Sequence, residues 1–217
     1  MGFDFSELGD LGDSGLVIRE DIPAALRLEW ERLASRGTWW SGEDRVAIAA
    51  EARRAMGGES AGEELPPELV VVIRKVAVDS PRIDGAWVDA LDARGIALAP
   101  YVEVIGIVSR LSSVDYFHIT LGLPLEPLPT PSPVAPTRVP PPDHVVVDKS
   151  FVPMVAPVSI PQTLSFVPEE TTAWQELSDA LYMTFRDMED PDFSRALHRT
   201  QIELVAARTS EVNECFY

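Results

Sequence analysis

Residues 100–122 read PYVEVIGIVSRLSSVDYFHITLG. Pro100 opens the stretch, in a position where a helix loses nothing by lacking an N–H. Tyr101, Val104, Ile105, Val108, Leu111, Asp115 and Phe117 trace one helical face, and Gly122 supplies the stop. This is the strongest helical signal in the chain, and its apolar face demands helical partners. Glu103 and Asp115 lie on or beside that face. For both, a buried hydrogen-bonded or interface role is expected over a paired-acid site.

Upstream the same grammar recurs. Residues 1–20 are acidic and Gly-rich and read as a loose arm. From Asp21, with Pro23 near the start, Leu26, Trp30 and Leu33 repeat at helical spacing. Ser41 is the expected N-cap of a second helix, with Glu43 and Asp44 in its first turn and Gly57-Gly58 at its end. Residues 57–64 are small and acidic and read as a loop. Pro66-Pro67 open a third helix through Leu69, Val72, Ile73 and Val76. A strand also fits that Val-rich run, but helical neighbours and the Pro pair favour helix. Asp84 caps a short helix through Trp87 and Leu91, ending at Gly95.

Downstream the composition shifts. Residues 124–168 hold 13 of the chain's 19 prolines. They predict an extended connector with a short strand at residues 145–147. Its apolar residues, Phe151, Val152, Met154 and Val155, predict that it lies against a surface. Helical spacing returns with Trp174, Leu177, Leu181 and Phe185. Asp190-Pro191 break the chain, and a last helix is expected over 193–208, with Leu197, Ile202, Val205 and Ala206 on its apolar side. The organisation is thus an arm (1–20), a helical part (21–123), a connector (124–168) and a second helical part (169–217). The fold class expected is all-α.

The 217 residues are 46% hydrophobic, enough for a sizeable core, and carry a net charge of −17 with a pI near 4.5. That balance argues against nucleic acid and anionic membrane surfaces. No run of about 18 apolar residues is present, and the N-terminus lacks the pattern of a signal peptide. A soluble, cytoplasmic protein is expected. There is no phosphate loop, Ser-His-Asp arrangement or metal cluster, so no cofactor or metal is expected. His198 is not at metal-ligand spacing with His118 or His144, and it reads as a surface or helix-packing residue. Trp30, Trp39, Trp40, Trp87 and Trp174 read as core or subunit contacts.

The one thiol, Cys215, carries the candidate chemistry. A cysteine in the first turn of a helix becomes more reactive, because the N–H groups and the dipole favour an anion. Asn213 is a good N-cap type for such a helix. A buried structural cysteine is the commoner fate of a lone Cys and stands beside that reading.

The tail RALHRTQIELVAARTSEVNECFY, residues 195–217, resembles the core of the alkylhydroperoxidase D-like group of the carboxymuconolactone decarboxylase-like superfamily. That core has a Glu, eleven residues, Cys, two residues, a second Cys, and a His four further on. Glu203 stands twelve positions before Cys215, and Ser210, Asn213 and Tyr217 match the usual S-x-x-N-x-C-x-Y-C run. The stretch 39–51 resembles the helix before the pair in a first, degenerate copy, and residues 101–125 the later core helix. Larger relatives of this kind include selenoproteins.

The resemblance implies a helical bundle, and a homo-oligomer. It also implies thiol- or selenol-dependent reduction of a hydroperoxide or disulfide, with a thiol electron donor. Glu203 would be the proton-relay acid and Cys215 the first, resolving cysteine. The second Cys and the His have no counterpart, and the chain stops where Cys or selenocysteine belongs, as when a UGA codon is read as stop. Loss of the following helix removes what would activate Cys215 and leaves a carboxylate two residues away, which disfavours the thiolate. Little peroxide turnover is therefore expected of this chain. Two alternatives remain: a non-catalytic scaffold or oligomer subunit, and a decarboxylase-like enzyme using acids such as Glu203 without redox cycling.

Overall fold

A computed structural model describes residues 18–148 and 150–215. The sequence-read arm therefore lies outside the described residues up to residue 17, as does Tyr217. The chain is mostly helical. In chain order the elements are α1 (Asp21–Ala34), α2 (Gly42–Met56), α3 (Pro67–Val78), α4 (Gly85–Asp89), α5 (Leu98–Thr120), β1 (Val145–Val146), β2 (Met154–Val155), α6 (Pro168–Leu181), α7 (Phe185–Glu189) and α8 (Arg199–Val212). No helix among the described residues is long and apolar enough to cross a membrane. The described residues form two compact units, one running to Leu177 and one from Ser178.

In the first unit the helix boundaries follow from local chemistry. Ser41 accepts the Asp44 N–H while Asp44 accepts the Ser41 N–H, a capping box that starts α2. Asp84 accepts the Trp87 N–H at 2.8 Å and starts α4. The Val-rich segment is helix α3, with Pro67 in its first turn. α5 begins two residues before Pro100, which then sits among the N–H groups that have no intrahelical partner anyway. Gly122, at φ 70°, takes the left-handed conformation just past its end.

α5 and α2 form the middle of this unit. α2 packs on α1, α3 and α5, and α5 also touches α1 and α3. Leu26, Trp30 and Leu33 of α1, Ile48, Ala49 and Ala52 of α2, Val72 and Ile73 of α3, and Val104, Ile107 and Leu111 of α5 are buried. Each large aliphatic side chain so buried contributes about 1.5–3 kcal/mol. The alanines of α2 let its neighbours approach closely.

The proline-rich segment lies on this bundle and is tied to it by backbone hydrogen bonds. Ser132 N–H donates to Ala34 O at 2.8 Å, Thr137 N–H to Gly37 O at 3.1 Å and Arg138 N–H to Thr38 O at 2.8 Å. Trp30 Nε1 donates to Pro127 O at 2.8 Å. β1 pairs antiparallel with β2, Val145 opposite Val155 and Val146 opposite Met154. The first strand was legible in the sequence; its partner was not.

The second unit departs from the sequence reading in four places. Phe185 does not continue α6. Thr184 accepts the Asp187 N–H in a capping box and starts a separate helix, α7. The last helix does not begin at Phe193. Arg199 N–H bonds back to Phe193 O at 2.9 Å, residues 193–198 form a tight loop, and His198 and Gln201 make the box that starts α8. Asn213 is the C-cap of α8, not the N-cap of a further helix. The side chain expected to be apolar-facing at Val205 is exposed, as is Leu204 beside it.

Candidate functional site

Two places in the molecule gather chemistry, one in each unit. In the second unit, Glu203 lies in the second turn of α8, and the Tyr182 hydroxyl donates to its carboxylate at 2.8 Å. Burial, then the hydrogen bond to Glu203 and its negative charge, push the Tyr182 phenol up to about 12. Arg195 fixes the same corner. It donates to Tyr182 O at 2.7 Å and pairs with Asp187 at 3.1 Å.

Cys215 lies past the end of α8. Its N–H donates to Ser210 O at 2.9 Å, and its side chain is exposed. The buried structural reading of this cysteine is therefore overturned. Glu203 and Cys215 are not brought together. The remaining turns of α8, at about 1.5 Å rise per residue, put roughly 15 Å of helix axis between them. His198 acts as a helix cap, accepting the Thr200 N–H at 3.3 Å. Among the described residues no group of His, Cys, Asp and Glu could hold a metal ion.

The first unit holds a chain of buried charge. Glu29 of α1, Arg45 of α2, Glu103 and Arg110 of α5 and Glu170 of α6 are all at least 97% buried, with exposures of 3%, 3%, 0%, 2% and 3%. They alternate in sign. Arg110 donates from Nε to Glu29 and from Nη1 to Glu170 at 2.5 Å. Arg45 Nη1 donates to Glu170 at 3.0 Å and to Glu103 at 2.5 Å. Glu103 also accepts the Trp39 N–H at 2.6 Å. Single charges left alone at such depth would cost several kcal/mol each; alternation and hydrogen bonding offset that.

Three carboxylates face two guanidiniums, and the pKa directions follow. Burial, then the negative charge of Glu170, raise the Glu103 carboxyl above its ordinary value, against the pull of Arg45 and the Trp39 N–H. Burial alone would raise Glu170 too, but Arg110 and Arg45 hold it below the ordinary carboxylate value. Burial alone would weaken Arg110 as a cation, and Glu170 and Glu29 more than reverse that. Of Glu103 and Glu170, Glu103 is thus the one that takes up a proton more readily.

Two glycines make room for this network. A Cβ on Gly106 would come within 2.1 Å of Glu170 Oε2, and one on Gly37 within 1.9 Å of Glu103 Oε1. Asp115, the other acid singled out on α5, pairs separately with Arg53 at 2.6 Å. Arg53 also donates to Glu126 O at 2.8 Å in the connector.

A cleft of about 460 Å³ opens over the Glu170–Arg45 link of the network. The last turns of α1, the residues after it and the first turn of α6 form its walls, and Arg45 and Glu170 belong to its lining. The sequence reading flagged Glu103 but missed Glu29, Arg45, Arg110 and Glu170. One signal was available: Arg110 stands seven residues after Glu103, two helical turns on, with Gly106 between them, inside an apolar helix.

Compared with known proteins, the chain matches no family model, no curated protein and no solved structure.

Proposed function

We propose that this chain is a thiol- or selenol-dependent oxidoreductase of the alkylhydroperoxidase kind, acting on a hydroperoxide or disulfide, in which Cys215 is the one thiol. The lack of a second Cys and of the family's His leaves a single step at Cys215 with little turnover. The observation that carries the reading is the exposure of that thiol directly after the helix bearing Glu203, in the Glu-x11-Cys frame. With a hydroperoxide, the thiolate attacks the outer peroxide oxygen, the S–O bond forms and the O–O bond breaks. An alcohol leaves with a proton, and the sulfur becomes a sulfenic acid. An external thiol then condenses with the sulfenic acid, releasing water, and a second external thiol frees Cys215 as thiol. The relay role that the resemblance gives Glu203 is not available to this step: its carboxylate accepts the Tyr182 hydroxyl, about 15 Å of helix axis from Cys215, and the proton at the sulfur is exchanged with solvent.

The test uses cumene hydroperoxide without and with dithiothreitol. Trapping with dimedone and mass spectrometry should locate a sulfenic acid on Cys215, with about one peroxide consumed per chain and only slow further consumption once dithiothreitol is added. The Cys215→Ser chain should consume none. An unmodified Cys215, under conditions that oxidise a free cysteine peptide, would defeat the reading.

A further inference from the structure

The cleft of the first unit contains a feature that its own network does not explain. Arg45 lines the cleft and is 3% exposed, yet its Nε has no hydrogen-bond partner. Arg110, equally buried, uses its Nε on Glu29. An unpaired buried N–H forfeits hydration without compensation. Such a donor is expected to meet an acceptor that the protein itself does not supply. The fork of a guanidinium matches a planar carboxylate best.

We infer that this cleft binds a small organic monocarboxylate, its oxygens taken by Arg45 at the depth of the cleft and by Arg36 at the rim. Charge limits the ligand to one negative unit. Glu31, Glu169 and Glu170 also line the cleft, and the third lining arginine, Arg32, is already paired with Glu29 and Glu176, so a dianion such as phosphate would be repelled. Glu170 already faces Arg45 and Arg110, and Glu169 accepts from Thr38 at 3.0 Å. A proton on Glu103, favoured by its burial, leaves Arg45 less neutralised and better able to hold an anion. Leu28 and Ala173 offer an apolar wall to the body of the molecule. The volume, about 460 Å³, falls within the 300–1,000 Å³ typical of small-molecule sites. Specificity for a carboxylate over its amide follows from the guanidinium, and selection against small hydrophilic anions from the apolar wall. The inference is independent of the thiol reading, since it involves no residue beyond Ala173.

Benzoate is the probe, with benzamide and inorganic phosphate as comparators, on the full chain at moderate salt to screen its −17 charge. The readout is the arginine Nε–H spectrum by ¹⁵N NMR, with the Arg45 signal identified by its absence in Arg45→Lys. Benzoate should move that signal saturably, and benzamide and phosphate should not. Arg36→Ala should weaken benzoate roughly two- to fivefold, as for an exposed ion pair. Leu28→Trp, which fills the cleft without touching the network, should abolish the effect. If Arg45→Lys fails to fold, through-bond correlation from the Arg45 backbone amide identifies the signal in the parent chain, and the other two variants are read against it. An Arg45 signal unmoved by benzoate, or moved equally by benzamide or phosphate, would overturn the inference. So would benzoate binding that survives Leu28→Trp unchanged.

Discussion

Arg45 Nη1 and Glu170 Oε1 meet 3.0 Å apart in the interior, though 125 residues separate them in the chain. This contact and the one between Arg110 and Glu170 carry the first turn of α6 onto α2 and α5. Glu170 is therefore the joint of the network, the one carboxylate shared by both buried guanidiniums. Its two neighbours each keep a second partner, Glu29 for Arg110 and Glu103 for Arg45.

Glu170→Ala should destabilise the chain by about 3–5 kcal/mol, because it strips a partner from two buried cations at once. Glu170→Gln should cost less, since an amide oxygen still accepts one hydrogen bond. The measurement is urea unfolding, where the midpoint should fall at unchanged slope. A loss under about 1 kcal/mol for the alanine variant would mean that the cations are hydrated rather than buried.

Replacing a glycine inside a helix by alanine ordinarily stabilises it by about 1 kcal/mol. Gly106→Ala should do the reverse, because its methyl would sit 2.1 Å from Glu170 Oε2 and 3.1 Å from Arg110 Nη1. The control is Gly85→Ala, whose added methyl meets only Phe151 at 3.6 Å, an ordinary contact. Thermal melts should show Gly106→Ala lower and Gly85→Ala close to the parent.

How much of this was legible in the sequence depends on range. Ser41, Asp84, Pro67 and Gly122 act within one helical turn of themselves, so their helix ends could be read. Thr184 and His198 also act locally, but their capping boxes compete with an apolar periodicity that runs Phe185 into α6 and shifts both ends of α8. The ion network lay beyond reading for a different reason. Arg45 finds Glu103 58 residues away and Arg110 finds Glu29 81 residues away, distances at which pattern carries no information about pairing. Periodicity located the face of α5 but not the partner of its acid.

Tyr182 should titrate late. Its phenol is pushed up to about 12, as is that of Tyr101, which burial alone raises. Absorbance at the phenolate band should therefore show two tyrosines ionising well above the ordinary value of 10. Glu203→Gln should bring one of them down, because a negative hydrogen-bond acceptor is removed, yet not fully to 10, because burial persists. No change on that substitution would detach Tyr182 from Glu203.

Leu204 and Val205 stand 71% and 59% exposed on α8. Adjacent apolar side chains left open in this way favour self-association. If the chain is a homo-oligomer through this helix, light scattering after gel filtration should give a mass above that of one chain. Leu204→Glu combined with Val205→Glu should return the monomer. An unchanged mass would exclude α8 as the contact.

Glu103 and Glu170 should leave opposite marks on the pH dependence of stability. The Glu103 carboxyl lies above 4.5 in the folded chain, so the fold keeps a proton that the unfolded chain has released. Stability must then fall as pH rises from 4.5 through the folded value. The Glu170 carboxyl lies below 4.5 when folded, so its contribution is present above 4.5 and is lost as pH drops through the folded value. Urea unfolding over about pH 3 to 8 separates them. Relative to the parent, Glu103→Gln should gain stability as pH rises above 4.5, because the variant has no proton to give up. The deficit of Glu170→Gln should shrink as pH falls below 4.5, where the parent loses the same charge. Parallel curves for both variants would mean that neither carboxyl is shifted, and that the alternation of charge from Glu29 to Glu103 does not set where the network holds its proton.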